Sequence, residues 1–105
     1  MTPICKTNDI VPNSGVCALV DGQQVAIFRT ADDRYYAIDN FDPFGKANVL
    51  SRGIIGGAGD RIYVASPLYK QRFNLETGAC LDDDQVKVRA YRVLTEDDKV
   101  YVSAA

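Results

Sequence analysis

The sequence predicts an all-β fold, a small barrel or sandwich of short antiparallel strands. Three observations favour this class. Short runs rich in β-branched and aromatic residues recur along the chain, with turn signals about every ten residues. An Asp-Gly pair, a strong short-range signal for a hairpin, separates two of these runs. No window repeats apolar residues at the spacing of a helix, apart from one candidate turn at residues 7–10.

The first half of the chain is predicted to form a three-stranded meander. The first turn is Asp21-Gly22, where glycine supplies the positive φ that a type I′ hairpin requires. A second turn at residues 31–34 leads into the third strand. The three strands are predicted at residues 16–20, 24–29 and 35–38.

Four further strands are predicted in the second half of the chain. Thr77-Gly78 is expected to turn the second of them toward Cys80, and residues 96–99 are expected to close the last hairpin. The strands are predicted at residues 61–65, 71–76, 86–93 and 100–102.

Composition and charge exclude several kinds of chemistry. Lys and Arg number 12 and Asp and Glu 14, which gives a formal net charge of −2, whereas a nucleic-acid scaffold normally carries a basic surface. The chain contains no histidine, which removes histidine bases, Ser-His and Cys-His nucleophile pairs and imidazole metal sites. We therefore predict no catalytic residue and no nucleic-acid partner.

The three cysteines are widely spaced and include no C-x-x-C pair. We interpret Cys5, Cys17 and Cys80 as reduced thiols in the core of a cytoplasmic protein, with a Cys5–Cys17 disulfide as the alternative. The N-terminus lacks the pattern of a secretory signal. The early apolar run at residues 16–20 is far shorter than the roughly 20 residues that span a bilayer, so no membrane association is expected.

Two segments interrupt the strand pattern and are the candidates for function. Residues 40–59 end in a glycine-rich run, and residues 66–70 separate two predicted strands. Long irregular segments in compact domains usually carry function. The basic residues in or beside them are interpreted as solvated surface, with a partner-facing cluster as the alternative: Lys46, Arg52, Lys70 and Arg72.

Two further patterns do not complete a binding motif. The run at residues 56–59 lacks a following Lys-Ser or Lys-Thr, and Ile62 stands where a dinucleotide fingerprint needs glycine, so a turn before a strand is favoured. Asp82-Asp83-Asp84 lacks the alternating spacing of a calcium loop and is interpreted as a solvated turn. No metal or cofactor site is predicted in this chain.

The two irregular segments resemble the cluster-binding loops of Rieske proteins. In that family the first loop reads Cys-Pro-His and the second Cys-Pro-x-His-Gly-x-x-Phe-x-x-x-x-Gly. The positions that match in register are two prolines, a phenylalanine and a glycine: Pro43, Pro67, Phe73 and Gly78. The resemblance implies a Rieske-type fold over a single domain, 1–105, with a base barrel built from both chain ends and a cluster-type subdomain at about residues 40–80.

The four positions that would hold the cluster depart from the family pattern. They are Asp42, Phe44, Ser66 and Tyr69. A Rieske centre needs two thiolates on one iron and two imidazoles on the other. Phe44 has no donor atom, and the other three offer hard oxygens that suit an iron–sulfide cluster poorly. We therefore predict that this chain carries no iron–sulfur cluster.

Large side chains near these positions indicate what replaces the cluster. Phe44, Leu68 and Tyr69 are expected to fill the volume between the loops, each contributing about 1.5–3 kcal/mol if fully buried. Alternatively, they remain exposed as an apolar patch for a partner, with Lys46 and Lys70 at its rim.

The second loop also resembles one particular family. Residues 66–73 read Ser-Pro-Leu-Tyr-Lys-Gln-Arg-Phe, which is similar to the small subunits of assimilatory NAD(P)H-dependent nitrite reductases. The resemblance implies a cytoplasmic, non-catalytic subunit of an oxidoreductase in nitrate assimilation and nitrogen metabolism. Its partner would be a large catalytic subunit that carries FAD, siroheme and an iron–sulfur cluster and reduces nitrite to ammonium. A free-standing Rieske-like module that contacts another redox protein is the alternative.

Overall fold

Short strands make up most of the chain in the computed structural model, which describes residues 2–103. Two 3₁₀ turns, Thr7–Asp9 and Leu50–Arg52, are its helical elements. The all-β class is therefore confirmed, and no helix in the described part is long and apolar enough to cross a membrane. The strands are β1 (Thr2–Lys6), β2 (Ser14–Val20), β3 (Gln23–Arg29), β4 (Tyr35–Asp39), β5 (Phe41–Asp42), β6 (Ala47–Asn48), β7 (Ile54–Ala58), β8 (Arg61–Ala65), β9 (Arg72–Asn74), β10 (Ala90–Glu96) and β11 (Lys99–Ser103).

A six-stranded antiparallel sheet forms the base of the molecule. Its order is β1-β11-β10-β4-β3-β2, so both ends of the chain contribute to it. The edge strands β1 and β2 approach each other, which leaves the sheet as a nearly closed barrel. The remaining strands belong to the loop subdomain (residues 40–89), which contains the three-stranded sheet β7-β8-β9 and the two-stranded sheet β5-β6.

Turn chemistry determines the hairpins of the base. Asp21 and Gly22 connect β2 to β3 with φ values of 49° and 80°, as a type I′ turn requires. Asp97 and Asp98 connect β10 to β11 with φ values of 52° and 62°. The hairpins predicted around these residues are confirmed, as is the candidate helical turn that begins at Thr7.

The strand predicted at residues 86–93 is wrong in its first half. β10 begins only at Ala90, because residues 86–88 bond to residues 78–80 of the loop subdomain; Arg89 already bonds to Asp39 of the base. The Val86 carbonyl accepts the N–H of Cys80 at 3.0 Å, and the N–H of Val88 donates to the Gly78 carbonyl at 2.9 Å. The alternation of side chains predicted an extended segment correctly but not its partner.

Other boundaries also differ from the prediction. The glycine-rich run, predicted as a turn, lies mostly in β7, and only Gly59 enters the turn. Gly56 lies in β7 opposite Tyr63, whose ring leaves no room for a side chain: a Cβ added at Gly56 would be 2.7 Å from the Tyr63 ring. The sequence pattern did not predict β1, which pairs with β11, and β9 is shorter than the strand predicted at 71–76.

Two hydrophobic cores share strand β3. Val25 and Ile27 belong to the core inside the barrel, whereas Ala26 and Phe28 belong to the core between the base and the loop subdomain. Successive side chains of a strand point to opposite faces, so these four consecutive residues are all buried. β3 therefore fixes the loop subdomain on the base.

The cysteines are free thiols in three different environments. Cys80 is buried, Cys5 is half-buried and Cys17 is exposed. The alternative Cys5–Cys17 disulfide is not formed. The expectation that all three lie in the core is wrong for Cys17, because its side chain lies on the outer face of β2 and contacts the Gln24 amide at 3.4 Å.

Tyr91 is expected to make the stability of the six-stranded sheet depend on alkaline pH. Burial, and then the acceptor Asp39 Oδ1 at 2.6 Å, raise the pKa of Tyr91 from 10.0 to about 12. Because the folded pKa is raised, this contribution to stability is complete below pH 10 and is lost as the pH rises through 12. As the pH rises above about 10, the free energy of unfolding measured with urea should fall by about 2 kcal/mol more in the wild type than in Tyr91→Phe. Tyr101→Phe should keep the wild-type loss, and an equal loss in Tyr91→Phe would contradict the prediction.

Candidate functional site

A buried hydrogen bond joins the two loops at the end of the loop subdomain. The first loop (residues 42–46) connects β5 to β6, and the second (residues 66–71) connects β8 to β9. Ser66 Oγ donates to Asp42 Oδ2 at 2.5 Å, and both residues are fully buried. Two of the four positions selected from the Rieske resemblance therefore meet in the fold.

The loop backbone satisfies the remaining oxygen atoms of this Asp42–Ser66 pair. Asp42 Oδ1 accepts the N–H groups of Phe44 at 2.8 Å and Gly45 at 3.2 Å. Ser66 Oγ accepts the N–H of Leu68 at 3.3 Å. A buried polar group without a partner costs about 1–3 kcal/mol, so this set of hydrogen bonds permits an acid and a hydroxyl to lie inside the protein.

The two loops repeat the same backbone turn. The N–H of Lys46 donates to the Asp42 carbonyl at 2.7 Å, and the N–H of Lys70 donates to the Ser66 carbonyl at 3.1 Å. In both loops the second residue is a proline. The fifth residue is a lysine with a left-handed backbone, with φ values of 54° and 68°. The two loops thus present their lysines from equivalent positions.

The large side chains of the loops divide between the interior and the surface. Phe44 is half-buried and packs against the core, with its ring centroid 6.2 Å from that of Phe73. Leu68 lies against Gly45, where a Cβ would overlap its side chain, yet Leu68 remains 44% exposed. Tyr69 is 65% exposed. Of the three groups expected to fill the space between the loops, Leu68 contacts the other loop while partly exposed, Phe44 packs inward against the core, and Tyr69 does neither.

The exposed part of the two loops combines apolar and basic groups. We name this surface the loop tip; it consists of Lys46, Leu68, Tyr69 and Lys70. Neither lysine forms a salt bridge with any residue in the range 2–103. Asp42, the acid of the two loops, is buried. The loop tip is therefore positively charged on a chain whose net charge is −2.

Arg72, grouped with the loop lysines by its place in the sequence, stabilises the subdomain instead. Its guanidinium pairs with Asp82 at 2.7 Å and lies over the ring of Tyr63, 5.5 Å from the centroid. Hydrogen bonds from Arg72 lower the pKa of the Asp82 carboxyl. Asp82 is therefore an ion-pair partner, not only a residue of a solvated turn.

The residues at the four cluster positions do not fit a 2Fe-2S cluster. The side-chain oxygens of Asp42 and Ser66 bond to each other and to the loop backbone, and Phe44 places a hydrocarbon ring against the core. An iron–sulfide cluster requires soft thiolates and imidazoles. Over residues 2–103, no three His, Cys, Asp or Glu side chains lie close enough together to hold a metal ion.

Sequence reasoning missed Asn40, which holds the entry to the first loop. This buried residue donates from its backbone to the Gln24 carbonyl at 3.1 Å and from Nδ2 to Gln24 Oε1 at 3.2 Å. Its Oδ1 accepts the N–H of Ser51 at 2.7 Å. Asn40 therefore connects the base to the loop subdomain. The available signal was its position directly after a strand, since asparagine often bonds the backbone where strands end.

Comparison with known proteins identifies the family. Residues 1–103 match the model of the Rieske-like 2Fe-2S domain. The NADH nitrite reductase small subunit of Salmonella typhimurium is 51% identical over 98 residues, which cover 92% of this chain and 91% of that protein. The chain belongs to the nitrite reductase small-subunit family of Rieske-like domains.

The structure of a family member agrees closely with this fold. The NADH-dependent nitrite reductase small subunit of Mycobacterium tuberculosis has a TM-score of 0.91 and 44% identity, covering 96% of this chain and 91% of that one. The Rieske-type fold and the family predicted from the sequence are both confirmed.

A domain of this family also occurs inside a much longer protein. The NAD(P)H nitrite reductase large subunit of Klebsiella oxytoca is 44% identical over 99 residues, which cover 94% of this chain and 10% of that protein. In that relative the small-subunit-like domain and the rest of the large subunit form one polypeptide.

Proposed function

We propose that the chain is a non-catalytic small subunit of a cytoplasmic NAD(P)H-dependent nitrite reductase that serves nitrate and nitrite assimilation. FAD, siroheme and an iron–sulfur cluster would belong to the large catalytic subunit, which would reduce nitrite to ammonium. The observation that carries the proposal is the Asp42–Ser66 pair, which joins the two loops where a redox domain of this fold would hold its metal.

A role in passing electrons would need a carrier in this chain. The Asp42–Ser66 pair offers no thiolate, and the chain has no histidine. Oxidation of tyrosine lies far outside the working range of a nicotinamide-driven enzyme. We therefore assign the chain a role in stabilising or orienting the large subunit. A purified chain with the colour and iron content of a 2Fe-2S protein would contradict this assignment.

The relative from Klebsiella oxytoca supports a direct contact with the large subunit. There, a domain 44% identical to this chain occupies 10% of the large subunit's length. Two proteins that act in contact as separate chains are often joined in one polypeptide in another organism. The fused relative therefore supports a direct contact between this chain and a separate large subunit.

The loop tip is the surface that best fits such a contact. It combines the exposed Leu68 and Tyr69 with two lysines that have no acidic partner among residues 2–103. Interfaces commonly place an aromatic anchor at the centre and charges at the rim. The complementary surface of the large subunit is therefore proposed to be an apolar patch bordered by acidic residues.

Charge reversal at the loop tip should weaken binding to the large subunit. We expect Lys46→Glu/Lys70→Glu to raise the dissociation constant by about 10-fold or more at low salt, and the difference should shrink at high salt. The matched control, Lys87→Glu/Lys99→Glu, makes the same charge change at exposed lysines outside the loop tip.

Binding would be measured by titration with the purified large subunit, and its consequence by nitrite-dependent oxidation of the nicotinamide with and without this chain. Equal weakening by both double variants would contradict a specific role of the loop tip. Capture of a different redox protein, without any binding to the large subunit, would support the free-standing module instead.

A further inference from the structure

We propose that the large subunit contributes an extended segment that pairs with the free edge of β7 and continues the sheet β7-β8-β9. This inference rests on the proposed function and adds a second contact to the loop tip. Among the edge strands of the two larger sheets, within residues 2–103, β7 is the one without protection.

The other edges of these sheets are covered or guarded. β1 contains Pro3 and a register shift before Cys5, both of which discourage pairing with another chain. β2 lies next to β1 across the narrow opening of the nearly closed barrel. The outer side of β9 bonds to the segment that follows it, where the N–H of Leu81 donates to the Arg72 carbonyl at 2.8 Å.

β7 has none of these protections. Its five residues, Ile54–Ala58, include no charge and no proline. Ile54 is 71% exposed. Within residues 2–103, no backbone group of β7 bonds to another backbone group outside the pair with β8. Such an edge is a template for a further strand.

The register shows which backbone groups of β7 are free. Ala58 and Arg61 flank a two-residue turn that begins at Gly59, whose φ is 65°. In such a hairpin the residue pair that flanks the turn is hydrogen-bonded, and so is every second pair beyond it. Ile55 and Gly57 belong to the intervening pairs and therefore direct their N–H and C=O groups away from β8. The Ile62 carbonyl, opposite Gly57, accordingly bonds on the other side of β8, to Leu75 N–H at 2.9 Å.

The free edge of β7 is accessible at its centre, where Gly57 is exposed. An open groove of about 450 Å³ is lined by Ile55 and Gly57 together with Ile62 of β8, so it lies over the face of the β7-β8 hairpin, toward the base. Gly57 has no side chain, and a Cβ added there would have its nearest neighbour at 3.7 Å. An extended backbone can therefore approach β7 closely.

Continuity with the loop tip identifies the occupant. Ile54, at the start of β7, pairs with Ala65, which directly precedes the second loop. The start of the β7 edge therefore adjoins the second loop, and a protein seated on the loop tip would lie next to it. Because β7 offers main-chain groups and little side-chain surface, the segment that it recognises is an extended strand.

The test uses two variants that obstruct the edge and two matched controls. Gly57→Pro removes the outward N–H without removing a β7–β8 hydrogen bond, and Ile54→Lys places a charge at an exposed edge position. Gly57→Ala keeps the N–H, and Leu19→Lys makes the same charge change at a side chain 69% exposed on β2. We expect each edge variant to raise the dissociation constant for the large subunit by about 10-fold, and each control by less than about 3-fold.

Amide hydrogen exchange of the wild-type complex gives an independent readout. The amides of Ile55 and Gly57 should exchange at least about 10-fold more slowly in the complex than in the free chain. Unchanged exchange, or unchanged affinity of the edge variants while the loop-tip variants still weaken binding, would overturn the β7 contact and leave the proposed function intact. No binding of the wild-type chain would overturn the proposed function itself. A dimer of the free chain that Ile54→Lys dissociates would assign the edge to a second copy and overturn the proposal.

Discussion

Replacing Asp42 by alanine should lower the free energy of unfolding by about 3–4 kcal/mol. Asp42 is fully buried and its side chain accepts three hydrogen bonds, from Phe44, Gly45 and Ser66. Alanine would leave these donors without an acceptor in the interior, where each unmet group costs about 1–3 kcal/mol. Urea unfolding monitored by far-ultraviolet circular dichroism would measure the change.

Two further variants separate the parts of this effect. Ser66→Ala should cost less, about 1–2 kcal/mol, because it leaves the two backbone hydrogen bonds of Asp42 in place. Asp84→Ala is the matched control: Asp84 is exposed, its carboxyl contacts the Gln85 side chain, and the change should stay within about 0.5 kcal/mol. A loss below about 1 kcal/mol in Asp42→Ala would show that the pair does not hold the loops together.

Replacing Gly78 by alanine should cost about 4 kcal/mol. Gly78 has a φ of 80°, and an added Cβ would overlap the Val88 carbonyl oxygen. The same region contains the hydrogen bond from Val88 N–H to the Gly78 carbonyl. The substitution therefore combines an unfavourable backbone conformation with a clash that separates residues 86–88 from residues 78–80.

Gly22→Ala is a close control for this change. Gly22 has the same φ of 80°, but an added Cβ would meet nothing within 4 Å. Gly22→Ala should therefore lower the free energy of unfolding only by the cost of the left-handed backbone, about 1–2 kcal/mol. Comparison of the two variants by thermal and urea unfolding isolates the clash, and equal losses would show that Val88 moves aside without cost.

Local turn chemistry made the hairpins of the base predictable from the sequence. The positive φ values at Asp21 and Gly22 depend on these two residues and their strands, so the hairpin could be inferred without knowledge of the rest of the fold. Residues 86–88 were different. Their alternation identified an extended segment, but whether it paired with the base or with residues 78–80 depended on a tertiary contact that the pattern does not encode.

The candidate site was predictable in its positions and not in its contacts. The Rieske resemblance selected Asp42, Phe44, Ser66 and Tyr69, yet the bond between the first and third crosses 24 residues of chain. Hydrophobicity could not distinguish Phe44, which packs inward, from Tyr69, which is exposed. The two side chains occupy different positions of the same turn: Phe44 is the third residue of its loop and Tyr69 the fourth.

The hydrogen bond between Asp42 and Ser66 has a consequence for biosynthesis. The atoms of this hydrogen bond come from the polypeptide itself, so in the proposed cluster-free subunit folding would be complete as soon as synthesis ends. A domain closed by a metal centre would have to wait for iron and sulfide to be delivered. We therefore expect this chain to reach its folded state equally well when it is produced without iron, whereas the maturation of iron-dependent enzymes would slow.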